Sequence, residues 1–237
     1  MYSQKSLWKG NAQKWTKVMD EGLDDFRRSC LDPYLDALLV QHSSGIFLDL
    51  GCGEGKVART IAKGGCQVVG VDLAYDFTRT AQERLAEGFF VQGDVLSLPF
   101  CEGAFDGAVS KLTSVNVPDY LQFLRETERI LRPGGILIDV VTHPCFASFQ
   151  GDPIHPNIYL KMHKKRIQLN KKGVKLKVVN YHRSLSDYFD CFAKTSFIVK
   201  NIFEPPTTKN LTRSKQWKNS KIKGPPFLIF VLQRSTV

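Results

Sequence analysis

Between residues 46 and 142, short apolar runs alternate with stretches whose apolar positions recur at helical spacing. The runs at 46–50, 67–71, 89–92, 105–110 and 135–142 predict strands, and the stretches at about 54–63, 76–87 and 118–131 predict helices. Strand and helix taking turns is the sign of a parallel sheet with crossover helices on its faces. The helix over 118–131 has the sharpest bounds. It opens after Pro118-Asp119 and stops at Arg132-Pro133-Gly134-Gly135, where proline and glycine cannot continue it.

Before the first strand, residues 5–40 read as two helices separated near 20–24. Trp8 and Trp15, seven apart, share one helical face, either covering the core or capping a ligand. After Thr142 the regularity falters. Pro144, Pro153 and Pro156 punctuate a loop, the basic segment 161–177 is expected to contain a short helix, and 176–182 an edge strand. A helix at 186–194 and strands at 197–203 and 226–233 complete the sheet, with 207–223 as a solvated loop. The length of 237 residues suits one domain. Its expected parts are a helical cap (1–40), a core (41–143), a basic lid or insert (144–185) and a C-terminal helix with strands (186–237).

Composition narrows the class. Hydrophobic content of 43% and charge of 24% are those of an ordinary globular chain. The first residues carry no apolar signal-like stretch and no window approaches a membrane span, so a cytoplasmic location is expected. The six cysteines form no C-x-x-C pair and no zinc-like cluster, so no metal is expected and the thiols read as small, reduced, apolar residues. The net charge of +10 is uneven. Residues 1–150 hold 15 Lys/Arg against 19 Asp/Glu, whereas residues 151–237 hold 18 against 4. Such a basic third attracts nucleic acid, an anionic surface or an acidic small molecule.

The chemistry concentrates where the first apolar run breaks into glycine, at Asp49-Leu50-Gly51-Cys52-Gly53-Glu54-Gly55. Glycine permits positive φ and close approach of the backbone to a ligand. A dinucleotide fingerprint needs its third glycine at position 56, where this chain has Lys56. The spacing here is G-x-G-x-G. With Val71-Asp72, Gly93-Asp94-Val95, Phe105-Asp106 and Leu131-Arg132-Pro133-Gly134-Gly135 it resembles class I S-adenosylmethionine-dependent methyltransferases of the bacterial small-molecule type.

That resemblance implies an α/β, Rossmann-like, seven-stranded and mostly parallel sheet in the order 3-2-1-4-5-7-6, with helices on both faces. It implies S-adenosylmethionine as cofactor. Gly51, Cys52, Gly53 and Gly55 would form the loop against its methionine and ribose portions, while Asp72, followed by Leu73, would accept from both ribose hydroxyls. Asp94 would accept from the adenine amino group, with Gly93 and Val95 lining the ring. Asp49 would orient the loop and the ammonium, and the backbone of Ser110 would meet that ammonium. The Lys111 side chain is expected to turn outward, since a sulfonium repels a cation. Arg27, in a stretch similar to the family's cap helices, would pair with the cofactor carboxylate.

Methyl transfer is an in-line displacement by an oxygen, nitrogen or carbon nucleophile, so a base is needed only if the acceptor must lose a proton. His143, directly after the fifth strand, is the first candidate, followed by Tyr181 and His182. The C-terminal stretches 182–189, 203–205 and 225–229 also look like bacterial small-molecule members. The expected acceptor is a small molecule, acidic or aromatic. Three other readings remain: an RNA-directed methyltransferase using the basic third, a non-catalytic S-adenosylmethionine binder, and an oxidoreductase, which fails at Lys56. Against RNA stand the absence of an Asn/Asp-Pro-Pro-Tyr/Phe motif and the few aromatic residues within 161–177.

Overall fold

The computed structural model describes residues 4–42, 44–146, 159–206 and 224–236. Five parallel strands, β1 (Ile46–Leu50), β2 (Gln67–Asp72), β3 (Phe89–Gln92), β4 (Phe105–Lys111) and β5 (Leu131–Thr142), build the core of one sheet. Its crossover helices are α4 (Lys56–Lys63), α5 (Tyr75–Arg84) and α6 (Tyr120–Ile130). The latter illustrates why the pattern was readable. Its buried positions Tyr120, Phe123, Leu124, Thr127 and Ile130 fall at helical spacing, and the Asp119 carboxylate caps it by accepting from the Gln122 amide at 2.9 Å.

A hairpin, β6 (His163–Lys171) and β7 (Val174–His182), interrupts the sheet strands before α7 (Leu185–Phe192), β8 (Phe197–Phe203) and β9 (Phe227–Arg234). The sheet order is β3-β2-β1-β4-β5-β9-β8, with β9 antiparallel to both neighbours. Counting only the strands of this sheet, that is the expected 3-2-1-4-5-7-6.

The hairpin corrects two expectations. Residues 161–177 hold no short helix, and 176–182 is not an edge strand of the main sheet; both belong to a separate antiparallel pair. Lys172 and Gly173 adopt positive φ between the paired Lys171 and Val174, the two-residue turn that suits a twisted hairpin. One face carries Ile167, Leu176 and Val178 inward. The other exposes Lys164, Arg166, Lys175 and Lys177.

The N-terminal region forms three helices rather than two: α1 (Gln4–Asp20), α2 (Asp25–Cys30) and α3 (Asp32–Leu39). Pro33, in the first turn of α3, forces the extra break. Trp8 and Trp15 of α1 pack with Ala12, Ala74 and Phe77. The same helix seals the free edge of β7, because the Asn11 amide donates to the Lys177 carbonyl at 2.6 Å. Expectations for Pro153, Pro156 and 207–223 fall outside the described residues.

A buried polar knot ties these parts together. Asp139, fully buried in β5, accepts from Ser114 Oγ at 2.7 Å and from the Tyr120 hydroxyl at 2.8 Å, and burial holds its carboxyl above the ordinary range. Arg183, just beyond the hairpin, is 3% exposed and donates to the carbonyls of Val117 at 2.6 Å and Pro118 at 3.3 Å. Its guanidinium carbon lies 5.2 Å from the Tyr120 ring centroid. Replacing it strands buried carbonyls. Arg183→Met is expected to lower the unfolding free energy by about 2–4 kcal/mol in urea titrations; a midpoint equal to wild type would show that the hairpin is anchored elsewhere.

Candidate active site

The chain leaves β1 at Leu50 and enters α4 at Lys56, so the turn between them must reverse sharply. Gly51 (φ 72°) and Gly53 (φ 52°) take conformations that other residues resist. At Gly51 space is the second constraint, since a Cβ there would collide with the Thr113 side chain. At Gly53 a Cβ would meet nothing within 4 Å, because that residue faces open space.

Asp72, at the end of β2, fixes the turn. Its Oδ2 accepts from the Gly53 amide at 3.1 Å and its Oδ1 from the Ala74 amide at 2.9 Å. Burial pushes this carboxyl up to about 6, and the amide bonds partly oppose the rise. Asp49 lies one layer behind, 1% exposed, and accepts from the Ala58 amide at 3.0 Å, fastening α4 to β1. Burial pushes it up to about 7.

These groups open onto a cavity of about 530 Å³ at the carboxyl ends of the parallel strands, where the sheet order reverses. Gly51, Gly53, Asp72, Leu73, Asp94, Val95 and Arg27 line it, as expected for cofactor-binding positions. Asp94 accepts from the Leu96 amide through Oδ1 at 2.9 Å. The Arg27 guanidinium sits over the Trp15 ring, 4.7 Å from its centroid, and pairs with Asp24 at 3.2 Å. Burial alone would raise Asp24, but Arg27 and Lys171 more than offset it and hold the carboxyl low.

Five expected positions do not reach this cavity. Gly55 and Gly93 pack instead against Ala81 and Val71, and Cys52 has its thiol pushed up by burial, which makes it inert. Asp49 supports from behind. Ser110 is fully buried, and its strand position is paired with Leu50 on one side and Asp139 on the other. Lys111 corrects the opposite expectation. It points inward along the cavity wall, with Nζ 2.5 Å from the Asp32 carboxylate that also holds Lys56.

His143 stands apart. Nδ1 accepts from the Cys145 amide at 3.1 Å, which leaves the proton on Nε2 to bond Glu204 at 2.7 Å. Both ring nitrogens thus have partners within the chain, and the imidazole lies outside the lining of the large cavity. With Tyr181 and His182 it lines a separate cavity of about 60 Å³. His182 stacks on His163 with centroids 4.8 Å apart.

Sequence reasoning missed the far wall of the large cavity, formed by Leu112, Val115, Asn116, Ile167, Val178 and Asn180. Leu112 has φ 61°, an unusual left-handed conformation for a branched residue, just where the chain leaves β4. Nothing local in the sequence announces it. Among the described residues no helix is long and apolar enough to cross a membrane.

The Asp49 carboxyl titrates near 7 in the folded chain against an ordinary 3.8, so the folded state holds the extra proton between those values. The contribution of this group to stability therefore falls as pH rises through that window, by up to about 1.4 kcal/mol per pH unit. Asp72 adds a loss of the same sign up to about pH 6. Asp49→Asn is expected to flatten the profile of urea midpoints measured from pH 4.5 to 7.5, and parallel profiles for the two proteins would contradict the assignment.

Comparison with known proteins agrees with this geometry. A family model described as a methyltransferase domain matches residues 48–139. A demethylmenaquinone methyltransferase of Lactococcus lactis is 35% identical over 113 residues, 44% of this chain and 44% of the relative. The match therefore spans less than half of that relative's length. The crystal structure of an S-adenosylmethionine-dependent methyltransferase from Mesorhizobium loti superposes with a TM-score of 0.70 at 23% identity, covering 85% of this chain and 96% of the other. A Burkholderia thailandensis 1,6-didemethyltoxoflavin-N1-methyltransferase, with 1,6-didemethyltoxoflavin and S-adenosylhomocysteine bound, gives 0.62 at 16% identity over 99% of this chain and 92% of its own. With the sheet order, these matches show that residues 48–139 match a methyltransferase domain and that the chain shares the fold of S-adenosylmethionine-dependent methyltransferases of known structure.

Proposed function

We propose that the chain transfers the methyl group of S-adenosylmethionine to a small, largely apolar molecule held in the inner half of the 530 Å³ cavity. The observation that carries this reading is continuity: one cavity joins Asp72 and Gly53 to a wall of Phe26, Val115, Ile167, Val178 and Phe227. The cofactor end fits the adenosyl group. Each Asp72 oxygen spends one lone pair on a backbone amide and keeps another for a ribose hydroxyl. Asp94 is exposed at the mouth, in the place for an adenine amino group, and Arg27 is in the place for a carboxylate.

The bound cofactor supplies an electrophilic methyl on a positively charged sulfur. The protein's share is to hold a nucleophile in line and keep water out, and positioning of this kind contributes roughly 7–11 kcal/mol. Helix α1 and the hairpin, joined through Asn11 and Lys177, both line this cavity, which supports taking 1–40 as a cap and 144–185 as a lid. No histidine, tyrosine or cysteine lines the large cavity among the described residues. Any proton the acceptor loses would pass to solvent or to a carboxylate such as Asp24, which suits an amine, an easily ionised hydroxyl or a stabilised carbanion. Arg27 and Lys171 are paired with Asp24, and Lys111 with Asp32, which leaves Lys5 as a lining cation with no ion pair among the described residues.

A second reading, RNA as acceptor, draws on Lys164, Arg166, Lys175 and Lys177 exposed on the outer hairpin face. The apolar inner compartment favours the small molecule. Salt separates them: turnover insensitive to ionic strength supports the first, and steep loss with salt the second.

Asp72→Ala removes both ribose acceptors and releases the Gly53 amide. S-adenosylhomocysteine affinity measured by calorimetry is expected to fall about 100-fold or more in a protein that still unfolds cooperatively. Unchanged affinity would refute the ribose assignment.

A further inference from the structure

Two amide side chains meet on the wall of the cavity. Asn116 lies in the 3-10 turn Ser114–Asn116 after β4, Asn180 lies on β7, and the Asn116 Nδ2 donates to the Asn180 Oδ1 at 2.8 Å. Both line the large cavity. Val115, Ile167, Val178 and Phe227, each 9% exposed or less, line the same cavity, and a further polar neighbour of Asn116 is the Gln4 side chain.

A primary amide carries one acceptor oxygen and a two-proton donor nitrogen. One bond between two such groups leaves the oxygen of the first and the nitrogen of the second without a partner. Neither the Asn116 Oδ1 nor the Asn180 Nδ2 has another hydrogen bond among the described residues, and neither is sealed away from the cavity. Rotating both amides by 180° keeps the bond and exchanges the roles. Either way the cavity presents one acceptor beside one donor.

The pair is also held rigid. The Asn116 amide N–H bonds the Thr113 carbonyl at 2.8 Å, the Gln4 side chain donates to the Asn116 carbonyl at 2.5 Å, and Ser114 is tied to Asp139 at 2.7 Å. Asn180 is fixed by its pairing with Lys165 in the hairpin, and Arg183 binds the carbonyls that follow Asn116. A preorganised donor and acceptor inside an apolar wall discriminates strongly, because a ligand without matching groups leaves both unpaired.

We infer that Asn116 and Asn180 form the specificity subsite for the methyl acceptor and select a ligand edge bearing a carbonyl next to an N–H, as in a lactam or cis-amide fused to an aromatic ring. The ligand N–H donates to one asparagine oxygen while its carbonyl accepts from the other asparagine's nitrogen. The apolar walls cover its ring faces. This inference rests on the methyltransferase reading above. It adds that the acceptor pocket is completed only when the hairpin lies against the loop after β4.

Binding of quinolin-2-one and of 1-methylquinolin-2-one, which has the same outline but no N–H, tests the inference on the whole chain saturated with S-adenosylhomocysteine. Quenching of tryptophan fluorescence reports both, since Trp8 and Trp15 line the cavity. The lactam is expected to bind about tenfold or more tightly than its N-methyl form. In Asn116→Leu and Asn180→Leu that ratio is expected to fall to about one, with S-adenosylhomocysteine affinity kept within about threefold. If the two asparagines only tie the hairpin down, both probes weaken together and the ratio survives, which overturns the inference. Equal affinities in wild type, or no saturable lactam binding while S-adenosylhomocysteine binds, overturn it as well. Failure to bind S-adenosylhomocysteine at all removes the methyltransferase reading beneath it.

Discussion

The Asp72 carboxylate holds the glycine turn to the end of β2, and the cofactor end of the cavity depends on that contact. Two backbone amides, of Gly53 and Ala74, converge on one buried acid. Together they fix how far the turn stands from the strand, and so the width of the space above it. The arrangement carries a cost. Burial drives Asp72 and Asp49 toward protonation, to about 6 and about 7, in a chain that needs at least the first of them as an acceptor. Strain of this kind near a ligand site is tolerated when the bound molecule returns hydrogen bonds and positive charge to it.

A second polar centre organises the other end. Asp139 and Arg183 are not in direct contact with each other in the hydrogen-bond pattern, yet they grip the same loop from two sides. Asp139 takes the Ser114 hydroxyl, and Arg183 takes the carbonyls of Val117 and Pro118. The loop between β4 and α6 is thereby held to the sheet by one group and to the hairpin by the other. Apolar packing could not do this, since every contact is to a backbone or hydroxyl group that burial would otherwise leave unsatisfied. The position of the loop that carries Asn116 is consequently set by three chain segments at once.

The sequence displayed the sheet well because its signals are local. Strands 46–50, 89–92 and 197–203 coincide with the observed bounds, and Pro118-Asp119 marks the start of α6 through backbone chemistry alone, whereas the helix ends at Ile130 and Pro133-Gly134 fall inside β5. The glycine turn was legible for the same reason. The hairpin was not, since its lysines hid a period-two pattern, Ile167 and Leu169 answering Val174, Leu176 and Val178 around Lys172-Gly173. His143 occupied the expected place at the end of β5 but was committed to Glu204, 61 residues later. Lys111 turned inward because Asp32, 79 residues earlier, waited there. Asn116 and Asn180 are 64 residues apart and carry no motif, so only the folded chain brings them together.

The cavity between the Gly51–Gly53 turn and Asp72 is the proposed seat of the adenosyl group. A crystal structure of the chain grown with S-adenosylhomocysteine measures this directly. The ribose is expected within hydrogen-bonding distance of both Asp72 oxygens, with the sulfur directed toward Val115 and Asn180. Density for the nucleoside elsewhere on the protein, or an empty cavity at saturating ligand, would contradict it.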